Sequence, residues 1–150
     1  MFMTYDYIVS SLPALSFELP APLGWEQFVA ACGGVVPELG AWHDLETQLR
    51  NAMAEARGGG KFKRPAEGCS LYWKNRVLAA FRETDPLLRE TLLDRVWWDA
   101  AGELTSPSEP LGIGALSTYA VRLKIALKRS KISVDAGNAA FDQLTAETKQ

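Results

Sequence analysis

The chain has 150 residues, 47% of them hydrophobic and 23% charged, with a formal net charge of −2 at pH 7. That balance excludes a disordered chain, and the length suits one domain burying roughly 70% of the surface its unfolded form exposes. The charge is unevenly placed, because residues 1–55 hold seven acids against the single cation Arg50 and the remainder holds fifteen cations against eleven acids.

In chain order, the first element is Tyr5-Asp6-Tyr7-Ile8-Val9-Ser10-Ser11-Leu12-Pro13-Ala14-Leu15. It is too apolar for a loose terminus, so it is expected to pack into the fold, against the stripe from Trp42 to Ala56. Tyr5 to Ser11 reads as a short helix or strand stopped by Pro13, and Ser16 to Leu23, with prolines at 20 and 22, as an extended connector. A short helix fits Trp25 to Cys32, ended by Gly33-Gly34, with Val35-Val36-Pro37 as an irregular link. From Leu39 to Arg57 the helical signal is cleanest: Trp42, Leu45, Leu49, Ala52, Met53 and Ala56 fall within an arc of roughly 100°. Gly58-Gly59-Gly60 ends that helix and opens a loop running to Gly68.

Leu71 to Glu83 resumes helical spacing, and Asp85-Pro86 reads as N-cap and first residue of a helix to about Ala101. Its apolar residues surround the axis, which makes it central to the fold or part of an interface. Gly102 to Gly114 is the longest linker, where any subdivision would fall. Beyond it the spacing predicts a helical hairpin, Gly114 to Lys131 and Val134 to Thr148, with Ser133 capping the second helix. The predicted fold is therefore all-α: a compact bundle of about six helices with irregular Pro/Gly-rich links, as a single domain over 1–150.

Chemistry is sparse. His43, the sole histidine, excludes a multi-histidine metal site and lies on the polar side of its helix, with Glu46 three residues on and no second Glu/His pair. Gly58-Gly59-Gly60-Lys61 lacks the spacing of a phosphate loop, since Glu55 stands where a glycine is needed and Phe62 where a hydroxyl is needed. Gly112-Ile113-Gly114 has neither a third glycine nor a preceding strand. The acid pairs Asp94 with Asp99 and Glu83 with Asp85 read as surface carboxylates. No cofactor, metal or catalytic residue is expected, and the chain is read as not an enzyme.

Cys32 and Cys69 are the only cysteines. They are too few for a disulfide framework, so buried free thiols in a reduced, cytoplasmic setting are expected. No secretion leader is evident, and no apolar run approaches the roughly 18 residues of a membrane span. Any membrane association is expected to be peripheral, through a complex.

Two spans carry cations without acids: Arg57, Lys61, Lys63 and Arg64, then Arg122, Lys124, Lys128, Arg129 and Lys131. Solvated surface is the ordinary reading of both. On the helix from Gly114, Leu116, Tyr119, Ala120, Leu123, Ala126 and Leu127 form an inward stripe, which leaves Val121 and Ile125 outward among Arg122, Lys124, Lys128 and Arg129. An apolar pair in a cationic ring suits docking against an acidic protein partner, and an unremarkable exposed pair is the alternative. Adjacent Trp97 and Trp98 point about 100° apart, so one is expected to face a neighbouring subunit. Lys61-Phe62-Lys63-Arg64 sets an aromatic among cations, which keeps open a stand-alone module that binds an acidic ligand or nucleic acid through 57–64. The sequence pI near 5.5 speaks against nucleic acid.

The segment Tyr5 to Leu15 resembles the start of a bacterial family of unknown function encoded among V-type ATPase genes, whose chains begin with a Tyr-Tyr-x-Leu-Val-x-x-Leu-Pro-like segment. Leu45-Glu46 with Leu49-Arg50-Asn51 and Arg57, and Asp85-Pro86-Leu87-Leu88 with Asp94-Arg95-Val96-Trp97-Trp98, are similar to its helical blocks. That family in turn resembles the C subunit of V/A-type ATPases, an all-helical cap linking the central shaft to the membrane ring. The resemblance implies a non-catalytic component or accessory protein whose partners are other V-type ATPase subunits, and it carries over no individual binding residue.

Overall fold

The computed structural model describes residues 4–34, 37–58 and 70–148, and for 133–143, 147 and 148 the backbone alone. Among them, six α-helices follow one another: α1 Tyr5–Ser11, α2 Trp25–Ala31, α3 Gly40–Ala56, α4 Leu71–Phe81, α5 Pro86–Ala101 and α6 Ile113–Thr148. A 3-10 turn, Gly102–Leu104, lies between α5 and α6. No strand occurs among the described residues, and the expected all-α class is what the chain adopts.

Local chemistry sets the helix ends. The Asp85 carboxylate accepts from the Leu87 amide at 3.0 Å with Pro86 behind it, an N-cap followed by the one residue type with no amide to satisfy. Ser70 Oγ accepts from the Trp73 amide at 3.4 Å and caps α4. Helix α2 ends on Gly33 and Gly34, with φ of 70° and 85°, a left-handed backbone that glycine adopts without strain.

The apolar residues gather into two clusters. In the first, Trp42, Leu45 and Leu49 of α3 meet Trp73 and Val77 of α4 and Leu93, Val96 and Trp98 of α5. Phe17, in the connector after α1, closes this cluster with its ring 5.6 Å from Trp98, edge-on. The second cluster joins Ile8 of α1, Phe28 of α2 and the adjoining Cys32 to Leu116, Ala120 and Leu123 of α6. Helix α6 serves both, because Val121, Ile125 and Ala126 belong to the first. It crosses from α5 without a gap: Thr118 Oγ1 donates to the Ala101 carbonyl at 2.9 Å and lies 2.7 Å from Thr105 Oγ1.

Three expectations are corrected. Helix α1 packs into the cluster of α2 and α6, away from the Trp42 to Ala56 stripe, and only Leu15 at the end of the opening segment also reaches the cluster that holds that stripe; Ile8 sits with Phe28 and Leu116 because α4 and α5 already occupy the apolar face of α3. The helical hairpin after Gly114 is one unbroken helix of 36 residues. Ser133 lies inside it: a cap residue ends a helix only where the backbone turns away, and the run from Lys128 to Ala136 contains no proline or glycine to force that. The outward pair Val121 and Ile125 is buried, as described next. The expectations on Val35-Val36, on Lys61 to Arg64 and on Cys69 lie outside the described residues.

Candidate functional site

Val121 and Ile125 keep 4% and 9% of their surface exposed. The 3.6-residue period marks one inward stripe on α6, but a helix held between two clusters has two, and the pair forms the second. Their predicted cationic ring is correspondingly engaged inside the fold. Arg122 Nε donates to the Trp98 carbonyl at 3.0 Å and its guanidinium lies 5.4 Å from the Trp98 ring. Burial lowers its pKa, Asp99 opposes that shift, and Arg95 adds to it.

Lys128 and Arg129 share one carboxylate, that of Asp94, at 2.5 and 3.5 Å. Arg129 also stands 4.0 Å over the Phe17 ring, and Lys124 Nζ 4.8 Å over Trp25. The ring is thus no free positive patch for an acidic partner. Of the four, Arg122 and Lys124 make no ion pair among the described residues, and of these two Lys124 is the exposed one.

What the structure brings together instead is a groove of about 320 Å³ between α3, α5 and α6. Its apolar floor is Met53, Leu93, Trp97 and Ile125, and its walls carry Glu46, Arg50, Glu90, Asp94, Lys124 and Lys128. Glu90, Leu93, Asp94 and Trp97 follow the i, i+3, i+4, i+7 spacing, so α5 presents them on one stripe. Trp98 is 6% exposed while Trp97 is only partly covered, so Trp97 is the tryptophan left open to a neighbour. Arg50 is held by Glu46 at 3.2 Å and Lys128 by Asp94. Among the described residues Glu90 and Lys124 make no ion pair, so the groove offers one unspent charge of each sign beside its apolar floor.

Of the predicted residues, Lys124, Ile125 and Lys128 reach this groove, whereas Val121, Arg122 and Arg129 do not line it. Sequence reasoning missed Met53, Glu46, Arg50, Glu90 and Leu93. The signal was there, in a fifth helix apolar on more sides than its neighbours could cover.

The other candidates serve structure. His43 is exposed and, with Thr47, Arg50 and Arg57, lines an open depression of about 520 Å³ along α3; Glu46 turns to Arg50. Asp99 is paired with Arg76 at 2.7 Å and Arg95 at 3.2 Å, and Glu83 Oε1 accepts from the Asp85 amide at 3.2 Å. Cys32 is a buried free thiol, and burial pushes its pKa up. Among the described residues no group of three or more His, Cys, Asp and Glu could hold a metal ion, and no helix is long and apolar enough to cross a membrane. Compared with protein-family models, with curated proteins and with solved structures, the chain matches none.

Proposed function

We propose that this protein acts through protein contacts, as a non-catalytic helical component or accessory protein of a V-type rotary ATPase, with the groove between α3, α5 and α6 as its docking site. The observation that carries the contact reading is the half-covered Trp97 on an apolar floor, walled by charges that are mostly spent on one another. Large aromatic side chains in such settings supply much of the energy of protein association, while paired charges around them exclude water. The partner that fits brings an apolar side chain to Trp97 and Met53, with a base to meet Glu90 and an acid to meet Lys124. The narrower attribution to a V-type ATPase rests on the resemblance of Tyr5 to Leu15 and of the helical blocks around Leu45 and Asp94.

The test is affinity purification of the tagged chain from its native cell, with identification of what co-elutes. Stoichiometric V-type ATPase subunits, lost on Trp97→Ala, are the expected result. A chain that never associates with them overturns the ATPase attribution, and association indifferent to Trp97→Ala overturns the groove as its site.

A further inference from the structure

The two unspent charges of the groove stand at its opposite ends. Arg122 meets the Trp98 carbonyl while Lys128 and Arg129 meet Asp94, so α5 and α6 run antiparallel here. Lys124 is therefore level with Trp97, and Glu90, two turns earlier on α5, lies about 10 Å away along the axis. Both residues are exposed. The Trp25 ring lies 4.8 Å from Lys124 Nζ and holds that ammonium at the rim without neutralising it. Between the two ends lies the apolar floor, where Leu93 and Trp97 stand one turn apart on α5 with Met53 of α3 and Ile125 of α6 beside them.

Whatever lies on such a floor has to bring its own hydrogen-bond partners. The groove is built from three helices, whose backbone groups are bonded within themselves, and no strand edge exists among the described residues for an extended segment to join. Arg50 and Lys128 are already bound to Glu46 and Asp94. An extended chain would hold unpaired amides and carbonyls over Leu93 and Trp97, with the penalty of burying bare polar groups. A helix satisfies its own backbone. Being about 10 Å across, it rests on a groove of about 320 Å³ with only its inner side chains below the rim.

Resting on the groove as the docking site, we propose that its occupant is a single amphipathic α-helix of the protein partner. That helix carries an acid and a base two turns apart, with apolar residues one turn after the acid. Two turns rise about 10 Å, the separation of Lys124 from Glu90. The acid meets Lys124, the base meets Glu90, and the apolar residues between them cover Trp97 and Leu93. The order follows from the helix dipole, because an acid towards the N-terminus and a base towards the C-terminus stabilise the helix that carries them. The partner helix therefore runs from Lys124 towards Glu90, antiparallel to α5.

Photo-crosslinking in the native cell measures that spacing. A tagged chain carries benzoylphenylalanine in place of Glu90 or, in a second variant, in place of Lys124, so each keeps Trp97 and the charge at the other end. The expected result is attachment of both to one partner segment, at residues about seven apart, with the Lys124 variant attached nearer the segment's N-terminus. Attachment points about three apart are the spacing of an extended chain and overturn the proposal, as do attachments to separate segments or none. Glu90→Lys and Lys124→Glu are each expected to weaken capture by about tenfold or more. Helicity and unfolding midpoint are expected to stay unchanged, since neither side chain makes an ion pair among the described residues. A partner lost on Trp97→Ala but kept by both charge variants leaves the groove standing and overturns the charged helix as its occupant; association indifferent to all three variants overturns both.

Discussion

The hydroxyl of Tyr119 donates a 2.7 Å hydrogen bond to the carbonyl of Pro13, joining the connector after α1 to α6 across 106 residues of sequence. The Tyr119 ring stacks on Phe28 at 5.6 Å, so one side chain binds α1, α2 and α6 together. Burial pushes its pKa up to about 12 from an ordinary 10. The neutral hydroxyl is the form the fold favours, so its contribution is complete below about pH 10 and is lost as pH rises towards 12. Tyr119→Phe is expected to lower stability by about 1 kcal/mol at neutral pH and to flatten the decline between pH 10 and 12, measured by denaturant titration at a series of pH values.

Gly114 begins the close crossing of α6 over the 3-10 turn, and a Cβ there would overlap the Leu104 carbonyl oxygen. Ala is the better helix former by about 1 kcal/mol, but a clash with backbone forces the crossing apart at a cost of about 1–3 kcal/mol. Gly114→Ala is expected to lower the unfolding midpoint by several degrees. Gly40→Ala, where a Cβ meets nothing within 4 Å, is expected to raise it slightly. Thermal unfolding of both variants checks the contrast.

Asp94 holds Lys128 and Arg129 while its own side chain is only 13% exposed. Its replacement leaves two cations crowded against the wall of the groove. Asp94→Ala is expected to cost about 1–2 kcal/mol, with wild-type stability falling as salt is added and the variant indifferent to it. Unfolding in about 0.05 M and about 1 M salt distinguishes this from simple loss of packing.

Trp97 contributes to the groove more than to the core. Trp97→Ala is expected to weaken capture of the protein partner by about tenfold or more and to lower stability by less than Trp98→Ala, because Trp98 is nearly enclosed by Phe17 and Arg122. Binding assays and unfolding curves on the two variants side by side measure that division.

How far the sequence could be read follows from how local each feature is. The α3 stripe Trp42, Leu45, Leu49, Ala52 and the Asp85-Pro86 start of α5 are written within a few residues of themselves, and both stand where the periodicity and capping residues put them. Periodicity turns Val121 and Ile125 outward because it reports which residues share a side, not how many sides neighbours will cover. The break expected at Ser133 fails for a related reason: cap preference says where a helix is able to end, and only the backbone's path decides that it does.

By itself, then, the amino-acid sequence determined helicity, most helix boundaries, the surface position of His43 and the enclosed thiol of Cys32, all of which follow from hydrophobic period, capping and burial preference within one element. Only the tertiary structure decided that α6 is gripped from two sides, that Arg122, Lys128 and Arg129 spend themselves on Trp98 and Asp94, and that Trp97 opens into a groove while Leu88 and Leu92 lie bare on the other side of α5. Those facts depend on which helices meet and at what rotation about their axes, and packing among elements distant in sequence sets that rotation.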